Sequence, residues 1–446
     1  MQKGVVDFIT LGCSKNLVDA ERVMRQLEAA GWRCVHDPKE PKGEVCVINT
    51  CGFIGDAKEE SINMILQMAE RKKAGKLRKL IVMGCLSERY RAELEAELPE
   101  VDSYYGKFDF LKLADELKIK NEKLKINCSS FERHLTTPGH YAYLKISEGC
   151  NRMCSYCAIP LITGRHTSRP KEEILAEVRW LVGQGVKELN VIAQDLSSYG
   201  LDLGERLKVK GERKHLLPEL IDEMAQIEGV EWIRLHYAYP TDFPEELLDV
   251  MAKHDNVCKY LDIALQHCTD HMLSLMRRHI TREEQDALIK KIRERVPGIC
   301  IRTTLLVGHP GETEEDFEEL KAWVKEMRFE RMGCFAYSNE EGTYAYKHYE
   351  DTIPQEVKDR RVEQLMDIQQ AISGELMAEK VGTVQRVIID RQEGDYWVGR
   401  TQYDSPEVDC EVLIKVKGER LKVKGGDFVN VKITKAEEFD LYGDIC

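Results

Sequence analysis

The chain has 446 residues, of which 43% are hydrophobic and 32% charged, and its formal net charge is −13. This length predicts two or three domains, and the apolar runs are too short to span a membrane. The acidic balance disfavours a protein that grips nucleic-acid phosphates without sequence preference. Fifteen cysteines and a start without a signal peptide predict a cytoplasmic protein with metal or redox chemistry rather than disulfides.

The first 120 residues alternate strand and helix patterns, which predicts a parallel α/β sheet. Three predicted strands each run into a cysteine: residues 5–11 into Cys13, residues 45–49 into Cys51, and residues 80–83 into Cys85. Because the carboxyl ends of parallel strands share one edge, the three thiols are expected to converge there. The alternative is that they are ordinary small buried residues. Ser87 is expected to cap the next helix.

Residues 120–139 have the composition of a connector, and six strand–helix units follow it. Their strands are predicted at 141–146, 188–193, 232–235, 261–265, 300–307 and 332–337. Such a series predicts a closed or partial barrel with its chemistry at the carboxyl ends of the strands. Arg302 alternates with apolar neighbours in the fifth strand. An inward guanidinium needs an anion, and a cofactor carboxylate is its predicted partner.

The first of these strands leads into Cys150, Cys154 and Cys157, spaced C-x₃-C-x₂-C. Thiolates this close can bind three irons of a 4Fe–4S cluster, and no fourth cysteine follows nearby to bind the last iron. That iron would be open to another ligand. The alternatives are a structural zinc knuckle, which usually has a second pair of ligands close in sequence, or unligated thiols.

The tail begins with a helix predicted over 356–377. Five short strands are predicted after it, at 384–389, 396–400, 410–416, 428–433 and 441–445. They indicate a small barrel resembling an OB-fold, a type that often binds RNA. Residues 379–446 nevertheless carry eleven Lys and Arg against fourteen Asp and Glu, a net charge of −3, which favours a basic protein as partner. Residues 204–211 recur identically as 418–425, and both copies are predicted to be basic surface loops or hairpins.

Residues 150–157 resemble the radical S-adenosylmethionine enzymes. The methylthiotransferase family is resembled at residues 11–16, 49–52, 83–85, 265–267, 275–278 and 308–312. The resemblance covers nearly the whole chain and implies three domains. They are an amino-terminal methylthiotransferase domain (1–120), a radical S-adenosylmethionine core with a partial TIM-like (βα)6 barrel (136–368), and a TRAM domain, a small antiparallel β-barrel (376–446).

The same resemblance implies two 4Fe–4S clusters, with S-adenosylmethionine as both methyl donor and radical source. Cluster 1 would be bound by Cys13, Cys51 and Cys85, and cluster 2 by Cys150, Cys154 and Cys157. Tyr156 is expected to shield cluster 2 or to contact the adenine, with loop packing as the alternative, and Arg302 is the other expected cofactor-binding residue. No catalytic residue beyond the cluster ligands is predicted. The chain departs from the family at His309, where phenylalanine is usual.

Residues 11–16 and 157–165 resemble the branch of this family that modifies an aspartate of ribosomal protein S twelve at its β-carbon. That branch implies the ribosomal protein as substrate, a low-potential electron donor of the flavodoxin or ferredoxin type, an unidentified sulfur source and no membrane. Two alternatives stay open: a transfer-RNA adenosine methylthiotransferase, whose first signature commonly begins Tyr-Gly-Cys, and an iron–sulfur electron carrier that never cleaves S-adenosylmethionine.

Overall fold

The computed structural model describes residues 4–107, 109–117, 131–203, 214–415 and 423–446. The surface loop predicted at the first copy of the repeat, residues 204–211, lies outside the described residues. So do residues 418–422 of the second copy and residues 120–130 of the predicted connector. Within the described ranges, no helix is both long enough and apolar enough to cross a membrane.

The amino-terminal domain is a parallel five-stranded sheet in the order β2-β1-β3-β4-β5. Its strands are β1 (Val5–Thr10), β2 (Arg33–His36), β3 (Val45–Thr50), β4 (Lys79–Gly84) and β5 (Ser103–Tyr104). Its helices are α1 (Ser14–Ala29), α2 (Gly55–Lys73), α3 (Cys85–Glu97) and α4 (Phe110–Glu116). All six residues of β3 are buried, as expected for a central strand covered on both faces. The predicted parallel sheet is confirmed, although β2 and β5 were too short to predict.

Ser87 does not cap a helix. The helix α3 starts at Cys85, directly after Gly84, whose φ of 103° turns the chain from strand into helix. Ser87 therefore lies inside the first turn rather than before it. Its buried hydroxyl has no hydrogen-bond partner among the described residues.

The central domain contains a parallel six-stranded sheet in the order β13-β12-β11-β10-β9-β6. Its strands are β6 (Tyr141–Lys145), β9 (Glu188–Ile192), β10 (Trp232–Ala238), β11 (Val257–Ile263), β12 (Cys300–Val307) and β13 (Arg331–Ala336). A short pair, β7 (Ser147–Glu148) and β8 (Thr167–Ser168), follows β6. Consecutive strands are neighbours and β6 does not pair with β13 in the described structure, so the barrel is partial.

Helices cover this sheet on its outer side. They are α6 (Lys171–Gly183), α7 (Leu217–Ala225), α8 (Glu246–Lys253), α10 (Arg282–Arg295) and α11 (Glu314–Met327). Three short helices pack elsewhere: α5 (Ile159–Thr163) against Cys85, α9 (Asp270–Leu275) against Tyr156, and α12 (Tyr344–His348) after β13. The fourth strand begins four residues earlier than predicted, at Val257. Lys259 interrupts the apolar pattern at the start of this strand, so the sequence did not predict residues 257–260 as part of it.

Side chains alternate between the two faces of each strand. The outward residues join the main apolar core against the helices, for example Leu144, Val191, Leu235, Leu261 and Leu305. The inward residues form a concave face that is polar and aromatic, and we define it by Tyr143, Asn190, His236, Asp262 and Arg302. The half-barrel is therefore lined by groups that can bind a polar ligand.

The helix α13 (Gln355–Ala378) leads into a closed five-stranded barrel in the order β14-β15-β16-β18-β17. Its strands are β14 (Val384–Glu393), β15 (Tyr396–Thr401), β16 (Val412–Lys415), β17 (Phe428–Ala436) and β18 (Leu441–Ile445). All pairs are antiparallel except β16 with β18, which is parallel. The predicted small barrel is confirmed.

Buried ion pairs join this barrel to the amino ends of the central strands. Arg400 contacts Glu188, the first residue of β9, with Nη2 2.7 Å from Oε2. Arg331, the first residue of β13, contacts Asp404 at 2.6 Å. The carboxyl-terminal barrel therefore covers one end of the half-barrel and leaves the opposite end to the cysteine loops.

Candidate active site between two cysteine loops

The three amino-terminal cysteines follow β1, β3 and β4, which are adjacent strands of one sheet. Burial raises the pKa of Cys85 to about 12; Lys107 opposes this shift, whereas Cys13 and Cys51 add to it. The thiols are thus close enough to influence one another. The structure brings these three predicted residues to a common edge, as parallel strands require.

Asn16 fastens the three loops together. Its Nδ2 donates to the backbone carbonyls of Leu11 and Thr50, at 3.1 Å each. Its Oδ1 lies 3.4 Å from the Sγ of Cys85, which donates to it. One buried side chain therefore contacts the segments that follow all three strands. Sequence reasoning included Asn16 in the family signature without giving it a role.

Glycines allow these loops to approach closely. Gly12 has a φ of 91°, and a Cβ at this position would lie 2.9 Å from Cβ and 3.1 Å from Sγ of Cys51. Gly84 has a φ of 103°, and a Cβ there would clash with Oδ1 of Asn49. Both conformations and both approaches favour glycine.

The central loop holds Cys150, Cys154 and Cys157 at the carboxyl end of the half-barrel. Nη1 of Arg278 donates to Sγ of Cys154 at 3.3 Å, and Sγ of Cys154 lies 3.6 Å from the hydroxyl of Tyr239. Burial raises the pKa of Cys150 to about 12. A thiolate is the metal-binding form of cysteine, so the Arg278 cation favours the state that an iron would bind.

His309 supports this loop from the adjoining segment. Its ring is fully buried, and Nε2 hydrogen-bonds with Oγ of Ser155, between the last two loop cysteines, at 2.9 Å. Burial lowers the pKa of His309 to about 4, so the ring is neutral. The departure from phenylalanine at this position therefore supplies a hydrogen bond to the cysteine loop.

Tyr156 packs within the protein. It lies against an apolar cluster that includes Met272, Met276 and Tyr337, and its hydroxyl accepts a hydrogen bond from Arg278 Nη1 at 3.4 Å. Burial raises the pKa of Tyr156 well above its usual range. These contacts fit the loop-packing alternative, and a contact with adenine stays a prediction.

Arg302 lies on the concave face, near the amino end of β12. Its guanidinium has the anion that an inward arginine requires, because Nε lies 3.4 Å from Oδ1 of Asp409 in the carboxyl-terminal barrel. The partner is therefore a side chain of another domain. A cofactor carboxylate as a second partner stays a prediction.

The two sets of cysteines meet across the domain boundary. Cys85 is buried against Ala158 and Ile162, and Ala158 directly follows Cys157. Beside this contact, the carboxylate of Glu148 binds Nζ of Lys107 at 2.6 Å and Nζ of Lys145 at 2.7 Å. The amino-terminal edge is thus fixed directly against the central loop.

Several buried polar atoms near the central loop have no hydrogen-bond partner in the part of the chain that the structure describes. They are Ser147 Oγ, Arg152 Nη2, Gln194 Oε1 and Asp195 Oδ1. Arg152 and Asp195 are held together, with Nε 2.7 Å from Oδ2, so each retains one unused atom. Unpaired buried polar atoms are costly, and this set of donors and acceptors matches a polar cofactor. Gln194 and Asp195 were not predicted as site residues from the sequence.

Among the described residues, no group of three or more His, Cys, Asp or Glu side chains converges to hold a single metal ion. The zinc alternative requires such a converging set. In a 4Fe–4S cluster the thiolates bind different irons, so cluster ligands need not converge on one point.

Three family assignments cover most of the chain. Residues 5–106 match Uncharacterized protein family UPF0004, residues 144–324 match the Radical SAM superfamily, and residues 381–446 match the TRAM domain. The superfamily supports an iron–sulfur cluster and S-adenosylmethionine as cofactors.

Curated relatives match along the full chain. A protein of Bacteroides thetaiotaomicron named ribosomal protein uS12 methylthiotransferase RimO is 62% identical and covers 100% of this chain and 99% of its own length. Proteins of the same name from Porphyromonas gingivalis and Christiangramia forsetii are 56% and 51% identical; each covers 100% of this chain, and 100% and 95% of its own length, respectively.

Solved structures share the fold at low identity. The radical S-adenosylmethionine methyltransferase TsrM from Kitasatospora setae has a TM-score of 0.52 and 16% identity, covering 74% of this chain and 72% of its own. The cobalamin-dependent radical enzyme OxsB has a TM-score of 0.52 and 12% identity, covering 82% of this chain and 56% of its own.

Proposed function

This chain belongs to the RimO family of ribosomal protein uS12 methylthiotransferases, and from that membership we propose that it adds a methylthio group to the β-carbon of an aspartate in this ribosomal protein. The relatives that support the assignment are 51–62% identical over essentially the whole chain. The enzyme is a sulfur-transferring transferase of the radical S-adenosylmethionine type.

The observation that carries the proposal is the contact between the two cysteine sites. Sulfur transfer to an unactivated carbon needs a group that opens a C–H bond and a group that delivers sulfur to the same carbon. Cys85 packs against Ala158, next to Cys157. One substrate side chain placed at this boundary would be within reach of both sites. The substrate radical would therefore not have to move between separate sites before it receives sulfur.

We propose that Cys150, Cys154 and Cys157 bind one 4Fe–4S cluster, and that Cys13, Cys51 and Cys85 bind a second. When bound, the first cluster and S-adenosylmethionine supply the one-electron chemistry that breaks an unactivated C–H bond. Arg278 would stabilise the thiolate of Cys154 through its hydrogen bond at 3.3 Å. Asn16 would hold the three strand-end loops at the second cluster.

The unpaired atoms of Arg152, Gln194 and Asp195 would bind the amino, carboxylate or hydroxyl groups of S-adenosylmethionine. Tyr156 would not contact the cofactor directly. It would help to position Arg278 by accepting a hydrogen bond from it. Arg302 is the weaker candidate for the cofactor carboxylate, because Asp409 already neutralises it.

The net negative charge of the carboxyl-terminal barrel is only weak support for a basic protein partner, because several of its acidic side chains are already paired. Asp390, Asp404, Glu407 and Asp409 all contact side chains of the central domain. These acids stabilise the domain interface instead of facing a partner. Support for the ribosomal protein therefore comes from the relatives.

A low-potential electron donor of the flavodoxin or ferredoxin type and a cytoplasmic location complete the proposal. Both follow from the chemistry, because a cluster must be reduced and exposed iron–sulfur sites require a reducing compartment.

The test incubates the reconstituted enzyme with S-adenosylmethionine, a reductant, and either the ribosomal protein or unmodified transfer RNA. Mass spectrometry is expected to find one methylthio group in place of hydrogen on an aspartate of the protein. Addition to RNA and not to protein would replace this substrate with the transfer-RNA alternative. Absence of 5′-deoxyadenosine after anaerobic reduction would instead favour a simple electron carrier.

A further inference from the structure

Lys15 is a buried cation without a salt bridge to any described residue, although its charge opposes the rise in the pKa of Asp262 that burial causes. It is the second residue of α1, two positions after Cys13, and its side chain is only 8% exposed. Its ammonium lies 3.4 Å from the ring centroid of Tyr237, on β10 of the central domain. No carboxylate of a described residue lies within 4.0 Å of Nζ. The ammonium is not among the fully enclosed unpaired atoms, so it retains access to the space between the domains.

The other buried lysines behave differently. Lys107, Lys145 and Lys358 complete the set of buried lysines in the described ranges, and each contacts a carboxylate. A buried ammonium without an anion costs free energy. The position of Lys15 in the first turn of α1 adds to this cost, since the positive end of the helix dipole repels a cation. Folding alone does not explain this lysine.

The backbone of β10 turns Tyr237 towards Lys15. Tyr237 has a φ of 66°, and the pairing of β10 with β11 shifts register between Leu235 and Ala238. Such an irregularity changes the direction of a side chain within a strand, and this φ is unusual for a bulky residue. His236, the preceding residue, lies on the concave face with its Nδ1 3.9 Å from Oδ2 of Asp262. Lys15 therefore extends from the amino-terminal cysteine edge to the margin of the concave face.

We propose that Lys15 binds the side-chain carboxylate of the substrate aspartate and selects aspartate over its neutral amide. This inference rests on the proposed function. The β-carbon that receives the methylthio group is bonded to that carboxylate. An ammonium two residues from Cys13 would therefore hold the reacting carbon beside the sulfur-delivering site. The cation–π contact with Tyr237 keeps the ammonium in place before substrate arrives.

The experiment measures binding separately from turnover. Fluorescence anisotropy compares two labelled peptides of the ribosomal protein, one with the target aspartate and one with asparagine there, on the fully reconstituted enzyme. The wild type is expected to prefer the aspartate peptide. Lys15→Met should weaken binding of this peptide by about 10- to 100-fold, the range for a hydrogen bond to a charged group. Its binding of the asparagine peptide should not change.

Two variants serve as controls. Lys15→Arg retains the positive charge and should retain part of the preference for aspartate. Lys42→Met removes a lysine of the same domain whose side chain is 79% exposed, and should bind both peptides as the wild type does. Preserved discrimination in Lys15→Met would overturn the proposal.

Thermal unfolding separates substrate binding from a structural role. Because Lys15 has no salt bridge to lose, Lys15→Met should unfold at the same temperature as the wild type or a higher one. Lower unfolding temperatures for both the Met and Arg variants would show that Lys15 supports the fold, and would overturn the proposal. Failure of the wild type to modify the ribosomal protein in the mass-spectrometric assay is a separate result, which removes the proposed function itself.

Discussion

The two cysteine sites reach the same boundary by different routes. Cys150, Cys154 and Cys157 lie on one continuous loop, and residues outside it contact the loop. Arg278 donates to the Cys154 thiol, and His309 hydrogen-bonds with the Ser155 hydroxyl. Cys13, Cys51 and Cys85 lie on three separate loops that depend on a shared fastener, Asn16. Loss of Arg278 or His309 should therefore change the reactivity of the first site, whereas loss of Asn16 should prevent the three cysteines of the second site from coming together.

The largest effect is expected from removing each set of thiols. Replacement of Cys150, Cys154 and Cys157 with alanine should reduce 5′-deoxyadenosine formation below detection. Replacement of Cys13, Cys51 and Cys85 should preserve that cleavage and abolish methylthio transfer. Chromatography of the nucleoside and mass spectrometry of the substrate measure the two steps. Continued methylthio transfer by the second triple variant would refute the division of labour.

Asn16→Ala should reduce methylthio transfer almost as strongly. It should affect only the site formed by Cys13, Cys51 and Cys85. It leaves two buried carbonyls without their donor, at a cost of about 1–3 kcal/mol each. We expect iron content to fall to that of a single cluster, with the amino-terminal domain unfolding at lower temperature. Iron analysis and calorimetry measure these changes. Asn16→Asp, which keeps the acceptor but loses the donor, is the matched control and should show a similar loss; full iron content in both would show that the strands alone position the cysteines.

Arg278→Gln should change the reduction potential at the site of Cys150, Cys154 and Cys157 without preventing cluster binding. Loss of a cation 3.3 Å from Cys154 makes the reduced cluster less stable, so its reduction potential should fall. Cleavage of S-adenosylmethionine should slow by about 10- to 100-fold, as expected for loss of one charge-assisted hydrogen bond. Potentiometric titration followed by electron paramagnetic resonance distinguishes this from a packing defect. An unchanged potential with reduced activity would indicate packing alone.

The smallest effect is expected at Arg302, which lies at the opposite end of the half-barrel. Its ion pair with Asp409 is long, at 3.4 Å. Arg302→Lys keeps the positive charge beside Asp409 and should therefore leave the Kd for S-adenosylmethionine unchanged. Isothermal titration calorimetry measures that Kd. A tenfold weaker Kd would restore the cofactor role that the sequence predicts for this residue.

Local features were predictable because they depend on short-range rules. The spacing of Cys150, Cys154 and Cys157 predicts a cluster-binding loop without reference to the fold. The strand-end positions of Cys13, Cys51 and Cys85 predicted a shared edge, since parallel strands align their carboxyl ends. The five glycine-punctuated strands of the tail predicted the closed barrel.

The tertiary structure decided which charges are paired. Arg302 contacts Asp409, and Glu188 contacts Arg400, each across more than a hundred positions of the chain, so neither composition nor periodicity could predict their partners. Several acidic side chains of the carboxyl-terminal barrel are consequently paired at the interface with the central domain. Lys15 shows the reverse case, because only the packed structure reveals that it is buried without a salt bridge to the described residues. The sequence by itself determined the spacing of the cysteines and their positions at strand ends, because both are local properties. Long-range packing determined which polar groups of the described residues remain without a partner.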